Sequence, residues 1–352
     1  MSSNYCRWTL RTSLLFLLAY FAAAHAGSDG DPLFASNETL KVTITAPLTS
    51  LMRERPNDEY MPATFQYQDS TGETVEFNIG IRTRGRLRRD PTICAFAPLR
   101  LNFKKSETKS TLFDKQNKLK LVTHCQNKTL KYKQGVIKEY LAYRTLNLMT
   151  DVSYRVRLLD ITYVDSDKKN RVRVNYAFFI EHADRFAKRI DTPALQVSKV
   201  SLSDLQPEYL NLTSVFQYFI GNTDFSPRSA AKGEDCCHNY TLFARNNAPY
   251  FAVPYDFDMS GIVYTDYSAP NSRFHLRNVT ERLYRGRCAN NSHLPKSLQL
   301  FTEKHDEITA LINGQEHLSS ATQKTVLRYI AKFYKLLDSQ KKINKNLIKK
   351  CI

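Results

Sequence analysis

The chain has 352 residues, 42% of them hydrophobic and 24% charged, enough to bury the core of one large domain or of two lobes sharing a cleft. With no low-complexity tract and no internal repeat, this composition argues against a disordered chain or a repeat array. The 51 basic residues against 34 acidic ones give a formal charge of +17, which favours anionic partners: nucleotide phosphates, acidic proteins or a membrane surface. No nucleic-acid partner is expected, because such modules interleave aromatics with basic residues, and the 20 Tyr and 20 Phe are spread along the whole chain.

Arg7 and Arg11 precede the apolar run Leu14–Ala24, and Ala24-His25-Ala26 is an A-x-A cleavage pattern. Residues 1–26 therefore read as a secretory signal peptide, with an uncleaved anchor as the alternative. No later stretch approaches the ~20 apolar residues of a membrane span, so the mature chain should carry no transmembrane segment and be secreted or periplasmic. Six cysteines follow the signal, an even number that suggests disulfides in an exported chain. The expected pairs are Cys94 with Cys125, and Cys236 or Cys237 with Cys288. A zinc site from Cys236, Cys237 and His238 is disfavoured, since adjacent cysteines lack the spacing that brings two sulfurs to one ion. Asn37, Asn127, Asn211, Asn239, Asn278 and Asn290 stand in N-x-S/T sequons, glycan acceptors in a eukaryotic secretory pathway.

Residues 27–182 read as β-rich with one helix. Leu40–Ala46, Ala63–Gln68 and Thr74–Gly85 are β-branched and aromatic with partial alternation. RTRGRLRR (82–89) suggests a basic hairpin tip over phosphates, with Arg84 and Gly85 nearest, although it lacks the spacing of a P-loop. Pro98–Lys105 and Lys118–Cys125 alternate basic and apolar residues, and in the second Lys118 and Lys120 share a face from which a lysine can reach nucleotide phosphates. In the helix expected over Gly135–Leu148, Val136, Tyr140, Tyr143 and Leu146 form an apolar stripe, and Glu139 lies beside it, placed to fix that lysine. Tyr154–Asp165 and Arg171–His182 read as a hairpin across SDKKN, with Glu181 at its end.

From Ala183 the pattern turns helical, and Leu298–Asn313 and Ser320–Ser339 predict two helices. Ahead of these two helices, Ile220–Gly261 holds IGNTDFS, HNYTLF and PYDFDMSG. An Asp, an Asn and an Asp around a hairpin are what phosphoryl transfer asks for. One carboxylate, Asp224, orients or deprotonates the attacking hydroxyl, and an amide, Asn239, with a second carboxylate, Asp256, holds Mg²⁺ or Mn²⁺ on the phosphates, Asp258 being the weaker choice.

These segments resemble the spore-coat-protein-H (CotH) kinase-like family of secreted atypical kinases from about Arg82 to Cys288. The matching stretches are RTRG, PLRLNF, KLKLVTHC, EYLAYR, FFIEHAD, IGNTDFS and PYDFDMSGIV. The resemblance implies an α+β, two-lobed protein-kinase-like fold: a β-rich N-lobe over 27–182 and a mainly helical C-lobe over 183–352. It also implies transfer of the ATP γ-phosphoryl group to a hydroxyl on an exported protein. Asp224 would be catalytic, Asp256 and Asn239 metal ligands, and Lys120 (or Lys118) with Glu139 the nucleotide-positioning pair. Arg86 after Gly85, and Phe225 where a basic residue is common, depart from the pattern and keep a non-catalytic pseudokinase as the alternative.

Overall fold

A computed structural model describes residues 30–126, 129–230, 235–245 and 248–352, so the expected signal peptide and the sequon at Asn127 lie outside the described residues. Strand β1 (Leu40–Ala46) buries Leu40, Val42, Ile44 and Ala46 and turns Lys41, Thr43 and Thr45 to its other face, as a pleated strand must. Helix α1 (Leu48–Glu54) follows. The same period builds β2 (Met61–Gln68) around Phe65 and Tyr67 and β3 (Thr74–Thr83) around Phe77, Ile79 and Ile81. The first half is completed by β4 (Leu99–Asn102), β5 (Lys118–Val122), α2 (Leu130–Met149) and the β6–β7 hairpin (Val156–Asp165 and Arg171–Ile180).

These strands do not form an open sheet. They close into a seven-stranded barrel, β1-β2-β3-β4-β5-β7-β6, sealed by a parallel pairing of β1 with β6 from Leu40 opposite Leu159 to Ala46 opposite Asp165. The closed, mixed barrel, with eight α-helices among the described residues, overturns the expected two-lobed protein-kinase-like fold. Alternation tells a strand which face to bury but not which neighbour to join, and the closing partner of β1 lies far along the chain. Nor does the apolar core divide near residue 182: Tyr140, Tyr143, Leu158 and Phe178 share one cluster with Phe216, Phe219, Phe301 and Phe333. Asp31–Ile352 is one compact unit.

The barrel interior is filled by Phe113, from the β4–β5 connection. Its fully buried ring lies 4.9 Å from Phe65, 5.1 Å from Phe103 and 5.2 Å from Tyr67, centre to centre. Such clustered rings add to the burial they bring. We expect Phe113→Ala to cost about 3–5 kcal/mol of unfolding free energy, read by denaturant titration. A loss below about 1 kcal/mol would show that this ring does not hold the barrel together.

The second half contains α3 (Ala183–Arg189), β8 (Ala194–Leu195), α4 (Pro207–Ile220), β9 (Tyr240–Phe243), β10 (Phe251–Pro254), α5 (Leu294–Glu303), α6 (His305–Asn313), α7 (Ser320–Leu337) and α8 (Gln340–Asn346). Strands β10, β9 and β8 form a separate antiparallel sheet. The helix expected over Leu298–Asn313 is two, divided at Lys304, with Asp306 and Glu307 in the first turn of α6, where the helix dipole favours acids. Cys94 pairs with Cys125 as expected. The other pairing is corrected: Cys236 is joined to Cys237, and Cys288 to Cys351. Among the described residues no helix is long and apolar enough to cross a membrane.

Candidate active site

Helix α4 stops at Gly221, whose φ of 68° suits glycine, and the Asn222 N–H closes back on Gln217 O at 2.8 Å. A side chain at Gly221 would collide with the Tyr329 hydroxyl, so position 221 needs glycine for space as well as for conformation. The buried Asn222 then accepts the Asp224 N–H on Oδ1 at 2.9 Å, an Asx turn that sets Asp224 at the end of the helix. Two backbone bonds of 3.0 Å, Gly261 N–H to Gly221 O and Ile262 N–H to Ile220 O, stitch the end of the DFDMSG segment to this turn.

The β9–β10 hairpin completes the arrangement. Tyr240 stands opposite Pro254, and the Tyr255 N–H donates to Asn239 O at 3.0 Å, so Asn239 lies beside Tyr255-Asp256. Asn239 Nδ2 donates to Asp224 O at 2.7 Å and to Asp224 Oδ2 at 3.2 Å, and His238 Nε2 is 2.8 Å from Asp224 Oδ1. Asp256 donates its N–H to the Tyr143 hydroxyl on α2 at 2.8 Å. Asn239 and Asp256 both adopt left-handed φ values, 56° and 64°, which Asn and Asp tolerate better than most residues. Such backbone is concentrated where a structure holds functional groups in place. The structure thus brings Asp224 and Asn239 into direct contact and sets Asp256 next to them.

A buried ring of charge backs these residues. Asp258 accepts from the Tyr267 hydroxyl at 3.0 Å and lies 3.9 Å from Arg88 Nη1. Burial, and then the Asp256 charge, push its carboxyl up to about 7. Glu139 is buried with Oε1 lacking any hydrogen-bond partner; burial, then Asp258 and Asp256, hold its carboxyl well above the usual range, against the pull of Arg88 and Arg84. Lys120, its Nζ 4.9 Å from the centre of the Tyr255 ring, is brought down to about 8 by burial and by Arg84 and Arg100, with Asp256 opposing.

The expected Lys120–Glu139 pair is not in direct contact here. Among the described residues neither makes an ion pair with the other, and the cations that act on Glu139 are Arg88 and Arg84. Helix α2 is buried around most of its circumference rather than along one stripe, so Glu139 enters the interior instead of crossing to the strand. Lys118 is exposed on the wall of a cavity of about 1020 Å³ shared with Arg100, His182, Arg185 and Lys188. Glu181 bonds Arg189, at 2.8 Å to Nη2. Sequence reasoning missed Arg88, Tyr143, Tyr267 and the role of His238, all of which reach the site from segments distant in sequence or from a loop without a regular period.

Glycan attachment at Asn239 is disfavoured by the same geometry, because its amide nitrogen is buried against Asp224. Asn211 and Asn290 are buried as well, whereas Asn37 and Asn278 are exposed.

Among the described residues no group of three His, Cys, Asp or Glu side chains is placed to cage a metal ion. The donor set instead fits an ion that arrives with its own phosphate ligands: among the described residues the Asp256 carboxylate and Asn239 Oδ1 make no hydrogen bond, and Mg²⁺ needs only one or two protein oxygens beside phosphate.

The elevated Asp258 predicts a pH dependence. An acid whose folded pKa exceeds its unfolded one stabilises the fold below the unfolded value, near 4, and loses that contribution as pH rises toward about 7. Asp258→Asn should therefore raise the Tm at pH 8 but not at pH 4, and an equal shift at both would show that Asp258 does not titrate in that window. A comparison with protein-family models finds none that matches this chain, and a comparison with curated proteins finds no match.

Proposed function

We propose that this protein is a metal-dependent ATP phosphotransferase that phosphorylates a hydroxyl on an exported protein. The observation that carries the reading is the convergence of Asp224, Asn239 and Asp256 at one end of the β9–β10 hairpin, two of them on left-handed backbone. In this reading Asp224, aimed by His238 and Asn239, takes the proton of the acceptor hydroxyl. That oxygen forms a bond to the γ-phosphorus as the bond from the γ-phosphorus to the bridging oxygen breaks and ADP leaves. Mg²⁺ or Mn²⁺, held by Asp256 and Asn239, neutralises phosphate charge when bound. Lys120, a desolvated cation on which Asp256 acts, supplies a partner for the phosphates.

The three cystines support a secreted or periplasmic setting. A kinship with the CotH-type enzymes is proposed for the catalytic segments alone. The second reading is a protein that binds nucleotide without turnover, favoured by one observation: Glu139 lacks the lysine partner that would hold the phosphates. Incubation with γ-labelled ATP, Mn²⁺ and an acidic acceptor protein separates these. Label in the acceptor, or in the protein itself, supports transfer, whereas free labelled phosphate alone would indicate a hydrolase and neither would leave binding only.

A further inference from the structure

A second pocket opens beside Asp224. It has a volume of about 480 Å³, and Lys199, Arg228, Arg273, Arg285 and Arg287 line it together with Ser226, Phe274 and Ile352; among the described residues no Asp or Glu side chain lines it. It begins two residues after Asp224, on the segment where the Ser226 N–H bonds His238 O at 2.9 Å, so it shares a backbone link with the residue that orients Asp224.

The arginines are arranged before any ligand arrives. The Arg285 guanidinium lies between the rings of Phe225 (4.4 Å) and Phe274 (4.5 Å), and its Nη1 donates to Thr223 O and Phe225 O at 2.9 and 2.7 Å. Its Nε is buried with no hydrogen-bond partner. The far wall is fixed by the Cys288–Cys351 disulfide next to Arg287, with the Ile352 N–H bonded to Gly286 O at 2.9 Å. Desolvation, opposed by Tyr240 and reinforced by Arg287 and Arg273, pulls Arg285 down to about 10, and desolvation with Arg228 lowers Arg287. Five cations line this pocket, and Arg287 and Arg273 act on Arg285 against the opposing pull of Tyr240 and Asp224, so an anion that enters relieves their mutual repulsion. Planar guanidinium groups match carboxylate and phosphate oxygens.

Resting on the phosphotransferase reading above, we propose that this pocket binds an anionic side chain, carboxylate or phosphate, that flanks the target hydroxyl of the acceptor protein, and so selects acidic acceptor sequences for Asp224.

The test uses fluorescently labelled peptides carrying one serine flanked by Glu, by phosphoserine, or by Gln as a neutral twin, with binding read by anisotropy at about 0.15 M salt. The Glu and phosphoserine arms tell which anion is preferred. Arg228→Ala with Arg287→Ala should weaken the anionic peptides about tenfold and leave the Gln peptide unchanged. Lys199→Ala with Arg273→Ala, at exposed positions, gives the same ordering if the first pair disturbs folding. Lys341→Ala with Lys345→Ala, on helix α8, whose residues do not line the pocket, should have no effect. Equal binding of the Glu and Gln peptides, or equal losses from the α8 substitutions, would overturn the proposal. Anionic peptides that bind as described but take no label from ATP would leave the pocket standing and sink the transfer reading. Equal labelling of Glu and Gln peptides at equal KM would do the reverse.

Discussion

Asp256→Asn is expected to abolish metal-dependent nucleotide binding while the protein stays folded. The side chain is half-buried and makes no hydrogen bond among the described residues, and the backbone of Asp256 is held by Tyr143 through its N–H, which Asn retains. Asn also tolerates the left-handed φ of 64° as well as Asp does. What the substitution removes is one formal charge that acts on Lys120 and Arg84, at the proposed site for the phosphates. An ion bound by one carboxylate, one amide oxygen and phosphate loses its only anionic protein ligand, and affinity for ATP with Mg²⁺ should fall by about 10²–10³-fold. The buried acids should respond too: with the Asp256 charge gone, Asp258 and Glu139 lose one of the repulsions that raise their carboxyls. Calorimetric titration with ATP and Mg²⁺ reads the first effect, and unchanged affinity would remove Asp256 from the site.

Asp224→Ala should separate binding from chemistry. Its carboxylate is held by His238 and Asn239 and is about one-third exposed, so it faces outward to an acceptor rather than inward to the core. Removing it should leave ATP affinity within about twofold and lower transfer by about 10²–10⁴-fold, the usual worth of a positioned general base. Asn239 loses one of its two bonds to position 224 but keeps the other, to Asp224 O, so the loop should stay ordered. Full transfer activity in this variant would rule out proton abstraction by Asp224. A parallel loss of ATP affinity would instead place Asp224 among the nucleotide ligands.

The elements were largely legible in the sequence because their causes are local. The alternation of Leu40–Ala46 and the β-branched, aromatic character of Thr74–Thr83 yield strands with nearly the expected bounds, and SDKKN marks the β6–β7 turn. The assembly was not legible. Closing the barrel needs β1 beside β6, a choice set by packing of both faces, and no local pattern carries it. The same division runs through the site. Gly221 and Asn222 announce a helix end and an Asx turn before Asp224, and the spacing of Asn239 and Asp256 around a hairpin follows from two short strands. Glu139 went astray because its neighbours suggested a half-exposed stripe, whereas α2 is surrounded by the barrel and by the C-terminal helices. Arg88 was legible only as one more charge in a basic run; its burial against Asp258 depends on folding of the whole chain.

The most direct test is a crystal grown with Mn²⁺ and a non-hydrolysable ATP analogue, read by the anomalous scattering of manganese. The account predicts a manganese peak against the Asp256 carboxylate and Asn239 Oδ1, with the terminal phosphate turned toward Asp224. Manganese and nucleotide bound elsewhere, with Asp256 and Asn239 contacting neither, would contradict it.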